Sequence, residues 1–179
     1  MRYAATPLAC QLTGLSTERL REWTSRRALI PADVRPRRKG SPAKYTWQTI
    51  LILRLAVTLR EQFHIELQAH KGLFDGLRRE LRAKSFIALW GRSVALVGKN
   101  RWMLLDTVDG QPPADDVLLL RLNAHLEVLS AGFALPGPAA ALGQFDLFPL
   151  HAVASQTTKK SRRRLPTDSV TGAKRRRSA

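Results

Sequence analysis

Cysteine is almost absent from this chain of 179 residues, which contains only Cys10. One cysteine cannot form an intrachain disulfide or supply the several thiolates of a cysteine-rich zinc module. The N-terminus has no apolar stretch resembling the core of a secretion signal, so we expect a cytoplasmic protein. No apolar run is long enough to span a bilayer, and we expect no membrane partner.

Acidic side chains are also scarce, and the imbalance is uneven along the chain. Thirty Lys and Arg residues against fourteen Asp and Glu residues give a formal net charge of +16. Residues 1–84 carry 17 basic and 7 acidic side chains, residues 85–154 carry 4 and 6, and residues 155–179 carry 9 and 1. The positive charge therefore lies in a head and a tail around a near-neutral body, which favours a polyanionic partner.

Clusters of catalytic or metal-binding side chains are missing from the sequence. The four histidines are scattered, and the most suggestive pair, Glu66 and His70, fits a surface contact one helical turn apart better than a metal site. No glycine-rich loop that could cradle a phosphate is present. We therefore expect no enzymatic activity, no catalytic residues, no metal and no cofactor.

The head contains a pattern of two short helices followed by a basic loop. A first apolar segment runs to Leu12, and a tight turn follows at Thr13 and Gly14. Ser16 can cap a second helix over residues 17–26 that buries Trp23. Residues 34–44 then hold five Lys or Arg residues, interrupted by proline and glycine. A helix, a glycine turn and a polar helix are typical of a helix-turn-helix, and the loop can follow phosphates as a wing.

Two longer helices are predicted after the loop. Thr46 can cap a helix over residues 47–62 whose interior is apolar on nearly every side, as expected of a buried helix. Apolar residues at steps of three and four predict an amphipathic helix over residues 67–81. The basic residues near its end suit either the helix dipole or contact with DNA; they are Arg78, Arg79, Arg82 and Lys84.

Short apolar segments after residue 85 predict a small antiparallel β-meander. FIALW, SVALV and RWMLLD read as its strands, with Gly98, Lys99 and Asn100 as a hairpin turn. Residues 117–122 fit either a further strand or the start of a helix that continues to residue 129.

Together these elements predict an α+β fold in four parts. A mostly helical winged helix-turn-helix domain covers residues 1–84, and a small β-rich domain covers residues 85–131. Residues 132–154 are a Pro/Gly/Ala linker that carries an apolar peptide. Residues 155–179 are a basic tail with almost nothing to bury, so we expect it to be disordered.

The head resembles the MerR-type family of winged helix-turn-helix proteins over about residues 5–80. The residues that match are Thr13-Gly14-Leu15-Ser16, Leu20-Arg21, Trp23, Leu29-Ile30-Pro31 and Lys44-Tyr45-Thr46. In that family the second helix enters the major groove, and the wing and the aromatic residue after it contact backbone phosphates. The chain departs from the pattern at Glu22, where members usually have an aromatic residue, and near Arg27 and Ala28, where it has one extra residue and no glycine.

The resemblance makes double-stranded DNA the expected partner of a nucleoid-associated regulator. The candidate DNA contacts on the second helix, the wing and the segment after it are Thr17, Arg19, Arg21, Arg26, Arg37, Arg38, Lys39, Lys44 and Tyr45. The family's long dimerising helix and cysteine-bearing effector loop are not evident, so metal sensing is not expected, and homodimerisation stays open.

The apolar string after the linker resembles the peptide by which bacterial proteins dock on the replication sliding clamp. The matching residues are Gln144, Phe145, Asp146, Leu147 and Phe148, against a usual form of Gln, an apolar residue, Ser or Asp, Leu and Phe. Leu147 and Phe148 would fill an apolar pocket, and Gln144 would hydrogen-bond at its rim. The alternative is that this string packs back on the body as an edge strand.

The resulting hypothesis is a DNA-binding protein that docks on the sliding clamp and regulates transcription or replication. One alternative is a toxin-like inhibitor of replication elongation that competes for the clamp pocket. Others are an excisionase-like recombination accessory factor and a plain transcription regulator. The basic runs at residues 159–164 and 174–177 would bind phosphates without sequence preference, or only keep the chain soluble.

Overall fold

Helices and two small antiparallel sheets make up the structure, a computed structural model that describes residues 2–36, 38, 41–98, 101–106 and 116–138. The predicted mixture of helices and antiparallel strands is confirmed. The elements in chain order are β1 (Ala4–Ala5), α1 (Thr6–Thr13), α2 (Thr17–Arg21), a π-helical turn (Glu22–Arg26), β2 (Lys44–Tyr45), α3 (Trp47–Glu61), a 3-10 turn (Leu67–His70), α4 (Lys71–Arg82), a second 3-10 turn (Ile87–Leu89), β3 (Arg92–Val97), β4 (Arg101–Asp106), β5 (Leu118–Arg121) and α5 (Asn123–Phe133).

Local capping interactions define the first two helices where the sequence predicts them. Gly14 ends α1 with a φ of 75° and donates its N–H to the carbonyl of Cys10 at 2.9 Å. Glycine adopts this left-handed conformation without a steric penalty. Ser16 begins α2, because its hydroxyl accepts the N–H of Arg19 at 3.2 Å.

The predicted long buried helix is confirmed as α3. Its cap is Thr46, whose hydroxyl accepts the N–H of Thr49 at 3.4 Å. Nine of its fifteen residues are buried, and α1, α4 and α5 all pack against it. The helix is therefore the centre of the hydrophobic core.

The carboxylate of Asp33 connects three parts of the head. Its Oδ2 accepts the backbone N–H of Thr46 at 2.7 Å and the Thr46 hydroxyl at 3.0 Å, and its Oδ1 accepts Nη2 of Arg78 at 2.8 Å. The side chains of Asp33 and Arg78 are only 12% and 13% exposed. Burial raises the pKa of Asp33, but the hydrogen bonds from Thr46, Thr49 and Arg78 and the charge of Arg78 outweigh it, so the pKa lies below its ordinary value.

The predicted meander is wrong in its first strand and in its strand order. SVALV and RWMLLD form β3 and β4 as predicted, but FIALW contains the 3-10 turn Ile87–Leu89. The ring of Phe86 packs edge-on against Trp47 at 5.2 Å between centroids and against Trp90 at 6.0 Å, which holds this segment on α3. The sheet order is β4-β3-β5, so β3 is the central strand.

The segment that the sequence left undecided supplies both a strand and a helix. β5 pairs antiparallel with β3, and α5 follows it and packs on α1 and α3. A Cβ placed at Gly132 of α5 would lie 2.5 Å from Cδ2 of Leu12, so the two helices approach closely there. The core crosses the predicted boundary after residue 84, and α5 extends beyond residue 132, where the linker was predicted to begin.

Some predictions fall outside the described residues. They concern the hairpin residues Lys99 and Asn100, the loop residues Arg37 and Lys39, the docking peptide at residues 144–148 and the basic tail. Within the described ranges, no helix is both long enough and apolar enough to span a membrane.

Replacing Asp33 tests the role of its carboxylate. Asp33→Asn should lower the free energy of unfolding by about 2 kcal/mol at neutral pH, since hydrogen bonds to charged groups contribute about 1.5–3 kcal/mol. The folded pKa of Asp33 is below the ordinary value of 3.8, so its contribution is complete above that value and is lost as the pH falls through the folded value. Urea unfolding at neutral pH and in steps below about pH 4 measures this difference.

The control for Asp33 is Asp75→Asn, which changes an exposed carboxylate of α4. This variant should keep the wild-type urea midpoint at neutral pH. A wild-type advantage over Asp33→Asn that stays constant as the pH falls below 3.8 would contradict the assignment, because a folded pKa below that value requires the advantage to decrease there.

His125 of α5 should produce a separate pH dependence of stability. Burial, together with the positive charge of Arg54, lowers its pKa from 6.5 to about 4. The unfolded chain takes up a proton near pH 6.5 while the folded chain does not, so the free energy of unfolding should fall as the pH drops between these values. Melting temperatures measured across this range should show a shallower slope for His125→Gln. An unchanged slope in His125→Gln would disprove the prediction.

Candidate nucleic-acid interface

A small sheet closes the basic loop at its base. β1 and β2 pair antiparallel, and Val34 forms a bridge with Lys44. The N–H of Lys44 donates to the carbonyl of Val34 at 3.0 Å, and the N–H of Val34 donates to the carbonyl of Lys44 at 3.1 Å. The two ends of the basic loop, Val34 and Lys44, are therefore joined to each other directly after Asp33.

A groove of about 460 Å³ lies between this loop and the second helix. On the helix side it is lined by Thr17 and Arg21, which share one face of α2 because they are four residues apart, and by Ser25 in the π-helical turn. The loop side, the start of α1 and the floor contribute Pro36, Ser41, Pro42, Ala43, Thr6, Pro7 and Tyr45. The guanidinium of Arg21 gives the groove a positive charge.

The structure separates Arg19 from the other two candidates on α2. Thr17 and Arg21 are exposed and line the groove. Arg19 instead forms an ion pair with Glu61 at the end of α3, with 3.6 Å between Nη1 and Oε1. It also lines a different cavity of about 390 Å³. The candidates predicted on this helix therefore belong to two surfaces.

Tyr45 is buried, whereas the resemblance predicts that it contacts a phosphate. Its side chain is 1% exposed, and its hydroxyl lies 3.4 Å from Oγ1 of Thr24. The Thr24 hydroxyl also contacts the carbonyl of Leu20, donating to it at 2.8 Å. Tyr45 therefore packs between the small sheet and the second helix, and we assign it a positioning role.

The other predicted contacts that the structure describes are exposed cations. They are Arg26 after the second helix, Arg38 in the loop and Lys44 in β2. Sequence reasoning missed Arg35, which is exposed in the same loop, and Ser25, whose spacing from Arg21 could have revealed it. No ion pair with a described carboxylate is formed by Arg21, Arg26, Arg35 or Arg38.

A π-helical turn over Glu22–Arg26 ends the second helix. The N–H of Arg27 donates to the carbonyl of Glu22 at 2.8 Å, one residue further back than in an α-helix. The next residue, Ala28, has a φ of 46°. This left-handed conformation costs an alanine about 1–2 kcal/mol, which explains why glycine suits the position.

Buried side chains keep the helix exit in place despite that cost. The N–H groups of Leu29 and Ile30 donate to the carbonyl of Trp23 at 2.8 and 3.2 Å. Trp23, Leu29 and Ile30 are all buried, as is Leu20 on the same helix. Their burial directs the opposite face, with Thr17, Arg21 and Ser25, towards the groove.

The chemistry of the groove is that of hydrogen-bond donors and positive charge. Guanidinium and hydroxyl groups of this kind bind phosphate oxygens and base edges. Among the residues that the structure describes, no three His, Cys, Asp or Glu side chains lie together as metal ligands would.

Comparison with known proteins adds no relative. No protein-family model matches the chain, and no curated protein matches its sequence significantly.

Proposed function

We propose that this protein binds double-stranded DNA through a MerR-like winged helix-turn-helix and thereby regulates transcription or replication. The observation that carries the proposal is the groove between the second helix and the basic loop, lined by Thr17, Arg21 and Ser25. A helix face and a cationic loop on either side of one groove suit a duplex, which presents base edges and phosphates side by side.

In this proposal the second helix enters the major groove, which is about 12 Å wide and admits an α-helix. Residues near the start of such a helix reach the base edges. Arg21 can donate two hydrogen bonds to a guanine, and the hydroxyls of Thr17 and Ser25 can bond to bases or phosphates. Arg19 lies towards Glu61 and contributes at most to the general electrostatic attraction.

The basic loop would then follow the phosphate backbone as a wing. Arg35, Arg38 and Lys44 are exposed along it, and Arg37 and Lys39 are expected to add charge. The bridge between Val34 and Lys44 closes the loop, and Asp33 is hydrogen-bonded directly before it. A loop tied at its base loses less conformational entropy when it binds.

The helix exit also supports the proposal. The family pattern has a glycine near Arg27 and Ala28, where this chain has one extra residue, and the π-helical turn and the left-handed Ala28 lie at this point of the chain. Leu20 and Trp23 stay buried beneath the helix. The family's phosphate contact by the aromatic residue after the wing is not carried over, because Tyr45 is buried.

Arg21→Ala should weaken binding to a preferred duplex by roughly 5- to 150-fold, since one good base contact is worth about 1–3 kcal/mol. The preferred duplex is selected from a random library with wild-type protein, and affinities are measured by fluorescence anisotropy. The loss should be larger on that duplex than on a scrambled one. Because Arg21 is exposed, the urea midpoint should not change.

The matched control for Arg21 is Arg19→Ala, which removes the same side chain two residues away. It should change the affinity less than about threefold, as expected of a charge outside the contact surface. Arg38→Ala, a predicted phosphate contact, should weaken binding to both duplexes about equally. Equal losses for Arg19→Ala and Arg21→Ala would contradict the proposed interface.

We further propose that residues 144–148 dock on the bacterial sliding clamp. These residues lie outside the described ranges, and the support is their sequence, in which Gln144, Asp146, Leu147 and Phe148 match the docking peptide. In this arrangement the DNA-binding head selects the location, and the peptide brings the protein to the replication machinery.

Capture of purified clamp tests the docking peptide directly. Wild-type protein should retain the clamp, and the double variant Leu147→Ala, Phe148→Ala should bind at least about 30-fold more weakly, because the loss of even one buried anchor would cost about 2 kcal/mol. Leu150→Ala, just beyond the peptide, is the control and should bind like the wild type. Equal capture by the double variant would exclude docking through this peptide.

Overexpression distinguishes the regulator from the toxin-like alternative. Growth arrest that is relieved by the Leu147/Phe148 double variant, and not by Arg21→Ala, would favour an inhibitor of replication elongation. Relief by Arg21→Ala alone would favour regulation through DNA.

A further inference from the structure

An apolar cavity lies at the other end of α3, away from the small sheet that precedes this helix. It is bounded by the last turn of α3, the segment that leads into α4, and the ends of β3 and β5. Its volume is about 340 Å³. Leu59, Leu73, Leu96 and Leu118 line it, and His70 and Asp116 lie at its rim.

The inner wall of this cavity is the hydrophobic core itself. Leu59 and Leu73 are each 2% exposed, and Leu96 is 8% exposed. The cavity is partly open to solvent at its rim, and its size does not set it apart from the groove beside the second helix. Its distinguishing feature is the apolar inner wall, where water finds few polar partners.

The cavity has polar groups at its rim. Asp116, directly before Val117 and Leu118, is exposed, and His70 is half-buried. An occupant would therefore have an apolar body and one polar end. A carboxylate at the rim favours an end that is cationic and donates hydrogen bonds, which a primary ammonium does.

The volume limits the size of the apolar body. An engineered apolar cavity of about 150 Å³ holds one benzene molecule, so a cavity about twice as large would accommodate about twelve heavy atoms. This corresponds to two fused rings with a short side chain. Pockets that bind small molecules begin at about 300 Å³, so the cavity lies at the lower end of that range.

We propose that this cavity is a binding site for a small aromatic amine, with its rings among Leu59, Leu73 and Leu96 and its ammonium group at Asp116. The site is separate from the groove proposed to bind DNA, and it does not depend on that function. Binding would remove apolar ring surface from water and add one charge-assisted contact at the rim.

Two neighbouring residues of β5 provide a matched pair of variants. Leu118 pairs with Leu96 and Leu119 pairs with Ala95, and successive strand residues point to opposite faces of a sheet. Leu118 lines the cavity, whereas Leu119 is 46% exposed. A tryptophan at position 118 would fill the cavity, and a tryptophan at position 119 would not.

The test measures binding of 1-naphthylmethylamine to the full chain by calorimetry. The wild type should bind with a Kd below about 100 μM, in the range of small-ligand sites. Leu118→Trp should bind at least about tenfold more weakly, and Leu119→Trp should stay within about twofold of the wild type. Absence of wild-type binding, or equal affinity in Leu118→Trp, would overturn the proposal.

The contact between the ammonium group and Asp116 is tested with a neutral ligand that has the same rings. Asp116→Asn should weaken binding of the amine about tenfold and leave binding of 1-naphthylmethanol unchanged, as expected for loss of one charged partner. Equal effects on both ligands would rule out the ammonium contact. If Leu118→Trp fails to fold by circular dichroism, Val117→Phe at the rim replaces it, with the same expected loss and the same overturning result.

Discussion

The buried carboxylate of Asp33 is the interaction on which the arrangement of the head depends. It lies directly before the basic loop and binds Thr46 at the start of α3 and Arg78 in α4. A charge is tolerated at such a site because both carboxylate oxygens accept hydrogen bonds and a guanidinium lies beside them. The base of the loop is therefore held against the two helices that form the centre of the core.

Apolar contacts, in contrast, orient the second helix. Leu20 and Trp23 are buried on one side, which leaves Thr17, Arg21 and Ser25 on the groove. The π-helical turn and the left-handed Ala28 are the local adjustments that allow the chain to leave this helix and bury Leu29 and Ile30. Burial of large apolar side chains, worth about 1.5–3 kcal/mol each, offsets the strain at one alanine.

One core joins the head to the rest of the described chain. α5 packs on α1 and α3, with Gly132 against Leu12, and the three-stranded sheet lies beside α4. The cavity between α3, α4 and the sheet lies at the edge of this core and is partly open to solvent. Its location means that a small molecule and a nucleic acid would bind to different parts of one packed unit.

Sequence by itself determined the features that depend on neighbouring residues. Gly14, Ser16 and Thr46 predict helix ends correctly, and apolar patterns predict α3, β3 and β4, because caps and periodicity act over a few residues. Only the tertiary structure decided that FIALW lies on α3 through Phe86 and Trp47, that Arg19 pairs with Glu61 at the end of α3, and that Thr24 and Tyr45 meet in the interior. These outcomes depend on contacts between residues far apart in the chain, so local patterns show which side chains are available but not which of them share a surface.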